Sequence, residues 1–535
     1  MNNNQNISSK VVNTLVKLGC KNACISPGAR NSCLAINLGK KINSYNLLDE
    51  RAAGYMALGI AKYTNSPVII NCTSGTALAN LFPSIIEARM SEIPMIILTA
   101  DRPKEMINIG ENQTIYQKEI FGEYVLDYQG IDATTLDIEN IINSIYHKSI
   151  GITTNKDLHE KGPVHINVHL DEPNINQKIE SDLNIVFNKI KPMHSNSDVE
   201  INDFKKPLII CGQSNLKNKQ DIIFSLSERF NIPILTDISS NINSHPNKIS
   251  YYDTFISNIK PDTIFRFGKK PISKKLNALI KEHSKKTYLV RDQKNFNDDA
   301  INLISYNQLS NFIDKSTINI DEQWINSIKR KESISISKID DLIDKSKSLN
   351  EYSLAYHFLN QVENKSNIFI GNSIIIRAFN LLLKNTKNKD INIFSNRGAS
   401  GIDGNIATSV GMAISSNSNH NYLILGDQAF MHDIGSLNIL QDQSINLTII
   451  IINNSGGGIF DYLPISNDDN MKSYKKFIRL DHNYTFNKII NAYGISYKKV
   501  DSLSDFNLSS YKSNAIIEVK IDRNESLNFY QKMIN

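Results

Sequence analysis

Short, densely apolar runs recur along this chain almost from end to end, each followed by a turn and then by a stretch with helical periodicity. That pattern restricts the fold more than any other feature. Strands buried on both faces read as continuous apolar runs, and parallel neighbours must be joined by crossover helices. NACIS (22–26), VIINC (68–72) and MIILTA (95–100) open the series, and GPVHINVHLDEP (162–173) closes a first block with a strand ended by proline. A polar stretch from Asn174 to Lys206 reads as a linker. A second block runs through PLIICGQS (207–214), IPILTD (232–237), DTIFRFG (262–268) and KTYLVRD (286–292), and a charged helical segment (329–348) leads out of it. The third contains NIFIGNSIIIRAFNLLL (367–383), NIFSN (392–396), NYLILGD (421–427), LTIIIINN (447–454) and AIIEVKI (515–521). The expected architecture is α/β, with three doubly wound parallel-sheet domains at 1–185, 186–345 and 346–535.

Composition narrows the class. A chain of 535 residues is too long for one core. The net charge of +5 arises from 59 basic against 54 acidic residues with no long basic block, so nucleic acid is not an expected partner. The N-terminus MNNNQNISSK lacks the apolar core of a signal peptide, and runs such as LTIIII (447–452) are too short to cross a bilayer. Five unevenly placed cysteines form neither a disulfide framework nor a zinc site. The expectation is a cytoplasmic protein without a membrane partner.

In open α/β sheets the chemistry lies beyond the carboxyl ends of the strands. In the third block one strand ends in Gly426-Asp427, a helix follows, and the next strand ends in Asn453-Asn454, with Asp427 and Asn454 27 positions apart. That spacing fits a strand–helix–strand unit, which brings both ends to one sheet edge. A carboxylate, an amide oxygen and a carbonyl from the following loop form a hard oxygen set, too sparse for calcium but suited to Mg²⁺ shared with a diphosphate. Gly426 lets the backbone approach, and the N–H groups after Asp427 would face phosphate oxygens. Each dipeptide alone is a common turn, and the run Gly456-Gly457-Gly458 alone would be a flexible one. There is no GxxxxGK[ST] loop and no GxGxxG after a first strand, which removes P-loop and nicotinamide readings.

LLDERAAGYMALGIAK (47–62) poses a different question: why an acid stands between a buried run and a helix rich in Ala and Gly. The plain answer is that acids suit helix starts, Asp49 as a cap and Glu50 against the helix dipole.

The GD…NN pair resembles the thiamine diphosphate motif, whose enzymes carry one α/β domain for the cofactor's pyrimidine and another for its diphosphate. ISPGARNSCL (25–34), CTSGTALANLFPSIIEA (72–88), LTADRPKE (98–105), NIGENQTIYQ (108–117), GPVHINV (162–168), GNSIIIR (371–377), SNRGASGIDG (395–404) and NNSGGGIFDYLP (453–464) resemble one family within that group. It is the 2-succinyl-5-enolpyruvyl-6-hydroxy-3-cyclohexene-1-carboxylate (SEPHCHC) synthases of menaquinone biosynthesis. The resemblance covers the first and third blocks fully and the middle one weakly. It implies decarboxylation of 2-oxoglutarate and 1,4-addition of the resulting succinyl carbanion to isochorismate, with thiamine diphosphate and Mg²⁺ or Mn²⁺ as cofactors.

The same resemblance distributes the residues. Glu50 would hydrogen-bond the aminopyrimidine, keeping its proton with the help of burial. Ala52, Ala53, Gly54, Ala57 and Gly59 behind it would let the helix pack closely at a domain or subunit contact. Thr73, Ser74, Gly75, Ser400, Gly401, Gly426, Asp427, Gln428, Ala429, Asn454, Gly456, Gly457 and Gly458 would line the cofactor, with Asp427, Asn454 and Gly456 on the metal. Ile402 and Ile459 would pack against it, and Phe460 would line the pocket. Both substrates are dicarboxylates, so several guanidinium groups are needed. Arg377 and Arg397, with Asn372, would hold 2-oxoglutarate, while Arg30, Arg102, Asn112, Gln113 and Lys274 would face isochorismate. Ala29 departs from the family, which commonly has serine there, and His432-Asp433 reads as a helix start. A cofactor shared by two domains implies a homodimer or homotetramer. The competing readings are another thiamine-dependent 2-oxoacid carboligase, which would not need four arginines, and an inactive homologue, against which the presence of Glu50, Asp427 and Asn454 counts.

Overall fold

The computed structural model describes residues 3–152, 158–172, 199, 201, 203–242, 244–293, 298–318, 320–346, 348–384, 390–418, 420–441, 445–467, 471–511 and 514–534. Apart from 199, 201 and 203–206, the expected linker lies outside these residues, as does the expected boundary at 185/186.

Among the described residues, eighteen strands form three six-stranded sheets, and every strand pairing within them is parallel. The first contains β1 (Asn22–Ile25), β2 (Asn43–Asn46), β3 (Val68–Cys72), β4 (Met95–Asp101), β5 (Tyr128–Ile131) and β6 (Pro163–His169), in the order β2-β1-β3-β4-β6-β5. The second contains β7 (Pro207–Cys211), β8 (Ile234–Thr236), β9 (Lys248–Ile249), β10 (Thr263–Phe267), β11 (Thr287–Val290) and β12 (Asn302–Ile304), in the order β12-β11-β10-β7-β8-β9. The third contains β13 (Asn367–Ile370), β14 (Asn392–Phe394), β15 (Asn421–Gly426), β16 (Thr448–Asn453), β17 (Ser496–Val500) and β18 (Ala515–Lys520), in the order β14-β13-β15-β16-β18-β17.

Numbered from its own first strand, the third sheet repeats the order of the first. The middle sheet has instead the 3-2-1-4-5-6 order of dinucleotide-type folds. The outer two are thus one topology used twice. In each, the strand order reverses beside the first strand, opening a crevice at the carboxyl edge between β1 and β3 and between β13 and β15.

The outer domains meet through two helices, Glu50–Thr64 and Asn405–Ile414. Their apolar faces share one continuous core containing Ala53, Met56 and Ile60 from the first and Ile406, Val410 and Met412 from the second. Glycine sets the approach. A Cβ on Gly59 would lie 2.0 Å from the Thr408 carbonyl oxygen, and one on Gly411 2.1 Å from that of Met56. Among the small residues of the Glu50 helix, Gly59 therefore serves the domain contact, whereas a Cβ on Gly54 would meet Ser84 Oγ of the first domain at 2.1 Å. The middle domain joins the third through Asn241, which accepts from Ile393 N at 2.6 Å and donates to Ile393 O at 3.1 Å, covering the edge strand β14.

Residues 329–345 of the charged segment expected at 329–348 lie in a longer helix, Glu322–Lys345. No described helix is long and apolar enough to cross a membrane. All five cysteines are free and buried.

Candidate active site

The register of the third sheet determines where its acidic and amide groups emerge. Gly426 at the end of β15 pairs with Ile452 of β16, so Asp427 and Asn454 leave the sheet on the same edge, as their spacing requires. Asp427 is 2% exposed. Its Oδ1 accepts from Gln428 N at 2.7 Å and its Oδ2 from Gly456 N at 3.0 Å, and His482 Nε2 lies 3.1 Å from Oδ2. Asn454 is oriented from behind. Its Nδ2 donates to Glu351 Oε1 at 3.0 Å, while its Oδ1 is buried with no protein partner.

The glycine run is not a generic flexible turn. Gly456 sits at φ +136°, where a Cβ would meet the Arg479 carbonyl oxygen at 2.9 Å. A Cβ on Gly457 would strike the Phe460 ring at 2.8 Å, and one on Gly458 would lie 2.7 Å from Asn454 Nδ2. Gly457 N donates to Arg479 O at 2.8 Å and Gln428 Nε2 to the same oxygen at 2.9 Å. Arg479 is itself buried and paired with Asp461 at 3.0 Å and Asp481 at 2.6 Å. The Gly456 carbonyl, an expected ligand, accepts from Gly458 N at 2.9 Å, and it is the Gly456 N–H that faces Asp427.

In front of this edge lies an open cleft of about 770 Å³, lined by Ile402, Gln428, Met431, His432 and Tyr484, with Lys475, Lys476 and the run Leu480-Asp481-His482. Ile402 is 43% exposed, so a core-packing role does not account for it. Ile459 is half-buried against the core of the third domain, Phe460 is half-buried, Ala429 is buried and Ser400 is exposed at φ +61°. Gly401 accepts from Asn372 Nδ2 at 2.6 Å. His432-Asp433, expected to start a helix, instead ends one, Asp427–His432. Asp433 acts at a distance: its carboxylate accepts from Ile406 N and Ala407 N at 2.6 and 3.2 Å, capping the neighbouring helix. Burial there pushes its carboxyl up to about 6.

No first-domain residue lines that cleft among the described residues. Glu50 is the first residue of its helix, with Asp49 as the N-cap, accepting from Arg51 N at 2.8 Å. The plain helix-start reading thus holds for Asp49. The expected burial of Glu50 is not met within one chain, where it is half-buried at the first position of its helix. Its charge is felt by Cys72, whose thiol is held up chiefly by burial and then by Glu50, placing the carboxylate near the end of β3. There Thr73 leaves no room for a side chain on Gly28, whose Cβ would lie 2.4 Å from Thr73 Cβ. Ser74 exchanges two hydrogen bonds with Gln113, Oγ to O at 3.0 Å and Nε2 to O at 2.9 Å. Gly75, at φ +87°, donates to buried Gln117 at 2.9 Å.

The four arginines form two like-charged pairs. Arg30 follows β1 and Arg102 follows β4. Arg30 is buried, its Nη1 donating to Leu170 O at 3.2 Å and its Nε lacking a partner. Burial and then repulsion from Arg102 lower its pKa. Arg102 donates twice to Asn112 O, at 3.0 and 3.2 Å. In the third domain, Arg397 Nη1 donates to Asn372 Oδ1 at 2.9 Å and its Nε is unpartnered. Burial, and then repulsion from Arg377, lower its pKa. Arg30 and Arg397 each keep a buried Nε donor without a protein partner, although Arg30 Nη2 also lies 3.7 Å from Glu172 Oε1. Lys274 joins neither pair. It is exposed, two residues from Ile272, whose N–H is held by Asp237, and Asp237 lies near Arg397.

Two thiamine-enzyme profiles match the chain: "Thiamine pyrophosphate enzyme, N-terminal TPP binding domain" over residues 5–121 and "Thiamine pyrophosphate enzyme, C-terminal TPP binding domain" over 379–510. SEPHCHC synthase of Staphylococcus haemolyticus (strain JCSC1435) is 31% identical, over 99% of this chain and 98% of the relative. The same-named enzyme of Staphylococcus aureus (strain MSSA476) is 31% identical, over 97% of this chain and 94% of its own length. That of Lysinibacillus sphaericus (strain C3-41) is 29% identical, over 98% and 96%. The chain belongs to the SEPHCHC synthase family.

As a SEPHCHC synthase it is a thiamine diphosphate-dependent transferase, and the described residues fit that cofactor. The orphaned Asn454 Oδ1, the buried Asp427 and three glycines with no room for side chains form the oxygen set and the close backbone approach that a metal–diphosphate group requires. Three features of this synthase escape a reading of its sequence. Ser373, three residues beyond β13 and the N-cap of the helix Ile374–Leu381, is held at φ +80° and ψ −143°, the backbone of Gly75 on a residue with a side chain. Its carbonyl accepts from Arg377 Nη1 at 2.6 Å. Such a conformation costs about 1–3 kcal/mol and marks functional loops. Glu351 and Glu87 are the other two. The signal for each is a single acid in a largely apolar helical stretch, EYSLAYHFL and FPSIIEARM.

Proposed function

We propose that this SEPHCHC synthase decarboxylates 2-oxoglutarate and adds the succinyl unit to isochorismate, with its site divided between two copies of the chain. The observation that carries this reading is the pair of arginine pairs, one on each thiamine-type domain. Two dicarboxylates call for two such anion sites, whereas a carboligase of small monocarboxylates has no use for them.

Thiamine diphosphate, when bound, supplies a nucleophilic thiazolium carbon and an electron sink for decarboxylation. Asp427, Asn454 and Gly456 would hold Mg²⁺ or Mn²⁺ and, with Gln428, Ala429, Gly457 and Gly458, the diphosphate. Ile402 and Ile459 would press on the cofactor, with Phe460, Ser400 and Gly401 beside it. Glu50, with Thr73, Ser74 and Gly75, would come from the second copy and hold a proton at the aminopyrimidine nitrogen, and the third domain of the first copy would cover that Glu50. The absence of first-domain residues, among the described residues, from the third-domain cleft supports this arrangement.

Arg377 and Arg397, steadied by Asn372, would grip the carboxylate that 2-oxoglutarate retains. A guanidinium on the departing carboxylate would stabilise the ground state and oppose CO₂ loss. Arg30, Arg102, Asn112 and Gln113 would take isochorismate, with Lys274 at the margin. The reading carries three domains, 1–185, 186–345 and 346–535, and a cytoplasmic site of action.

The test is CO₂ release from 2-oxoglutarate with and without isochorismate. The reading requires product only when both are present. Equal turnover of pyruvate, or product formation indifferent to isochorismate, would refute it.

A further inference from the structure

The Arg397 loop belongs to the third domain, yet the groups that shape it come from the first. Glu87, 2% exposed on the helix Phe82–Ser91, accepts from Gly398 N at 3.0 Å and from Ala399 N at 2.7 Å, the two residues after Arg397. Its Oε1 also accepts from Ser91 Oγ at 2.7 Å and from Lys62 Nζ at 3.3 Å. Lys62, on the Glu50 helix, donates to the two residues before Arg397, Ser395 O at 2.8 Å and Asn396 Oδ1 at 2.7 Å. The loop lies flush on the first domain, since a Cβ on Gly398 would come within 2.6 Å of Ser91 Oγ and 2.8 Å of Glu87 O.

One carboxylate and one ammonium therefore bracket Arg397 on both sides along the chain. Asn396 O accepts from Asn372 Nδ2 at 2.8 Å, and Asn372 Oδ1 accepts from Arg397 Nη1 at 2.9 Å, so the bracket extends to the guanidinium. Burial opposes the ionisation of Glu87, but Lys62, Ser91 and the backbone N–H groups of Ala399 and Gly398 outweigh it and hold the carboxyl below its usual range.

We infer that Lys62 and Glu87 are positioning residues that set the synthase's preference for a 2-oxoacid with a second carboxylate, by holding Arg397 in place from across the domain boundary. This rests on the assignment of Arg397 to 2-oxoglutarate. Helix packing alone would need no acid at Glu87, and a buried ion pair is weak evidence for stability in itself. The four hydrogen bonds to the chain around Arg397 give the pair a specific target. A small displacement of a substrate-positioning group is felt directly in turnover.

The experiment compares 2-oxoglutarate with 2-oxobutyrate, which has the same 2-oxoacid head but no distal carboxylate. CO₂ release at saturating isochorismate is measured on the full-length enzyme with thiamine diphosphate and Mg²⁺, and cofactor affinity by calorimetry, for wild type, Arg397→Ala, Glu87→Gln and the double variant Lys62→Met/Glu87→Gln. The Glu87 variants should lose about 10- to 100-fold in kcat/KM for 2-oxoglutarate, mainly through KM, and less than about threefold for 2-oxobutyrate and for cofactor Kd. The double variant leaves no lone buried charge and decides the matter if Glu87→Gln does not fold. Equal losses on both substrates, a parallel loss of cofactor affinity, or failure of both variants to fold would show a merely structural pair and overturn the inference. So would preference retained in the Glu87 variants while Arg397→Ala loses it. Preference retained in Arg397→Ala would overturn the underlying assignment instead.

Discussion

Glu351 turns the carboxamide of Asn454. By accepting Nδ2–H at 3.0 Å it leaves Asn454 Oδ1 buried and unpartnered at the edge where Asp427 emerges. Ser526 Oγ donates to the other oxygen of Glu351, so the acid is fixed from both sides. Glu351→Gln offers an N–H where an acceptor stood and permits the amide to reverse. Calorimetric affinity for thiamine diphosphate with Mg²⁺ should fall about 10- to 100-fold, as for other groups that orient metal ligands. Asp427→Ala should abolish binding with the fold intact by circular dichroism, and wild-type affinity in either variant would remove the oxygen set from this edge.

Glu50→Gln retains shape and polarity but removes the acid. The variant should bind cofactor normally and slow exchange of the thiazolium proton, followed by NMR, by about 10²–10⁴-fold, the range of general acid–base contributions. An unchanged exchange rate would leave Glu50 only its helix-start role.

Arg397 and Arg102 lie after strands of different sheets and should fail differently. Losing a bidentate carboxylate partner costs about 2–4 kcal/mol, or roughly 30- to 1000-fold. Arg397→Ala should impair CO₂ loss from 2-oxoglutarate even without isochorismate. Arg102→Ala should leave that half-reaction nearly intact and raise the isochorismate requirement by the same factor. Stopped-flow absorbance on both variants separates the cases, and equal damage to both halves would refute the division.

His165 gives a prediction about acid. Buried in β6 with Thr99 Oγ1 at 2.8 Å and the Phe121 and Tyr128 rings around it, it is pushed down to about 3 by burial. The folded protein therefore resists a proton that the unfolded chain accepts near its ordinary value of about 6.5. The stability this confers is fully present above that pH and is lost as pH falls from there toward 3. His165→Gln should flatten the dependence of urea-unfolding free energy on pH by up to about 1.4 kcal/mol per pH unit in this window, with little change in slope above pH 7.

Thirteen of the eighteen strands among the described residues are visible as apolar runs, and the five that are not occupy sheet edges: β2, β5, β9, β12 and β17. An edge strand has one neighbour and a solvated side, so NSYN (43–46) and SYKKV (496–500) need no continuous apolar run. The sixth edge, β14, is apolar because Asn241 and the middle domain cover it. The site divides in the same way. Strand-end groups such as Asp427, Asn454, Arg30 and Arg397 stand out because a glycine or polar turn follows a buried run. Glu87 and Glu351 do not, since their partners lie 311 and 103 positions away and neither leaves a local pattern.

The crossing at Gly59 and Gly411 has a consequence for exchanging parts between relatives. Backbone meets backbone there, so no side chain can take up a mismatch by changing rotamer. A first domain from one synthase joined to a third domain from another would inherit half of a contact with no slack. Only a graft that carries both helices, Glu50–Thr64 with Asn405–Ile414, moves a complete joint. The natural unit of recombination in this chain is therefore a pair of segments separated by the whole middle domain.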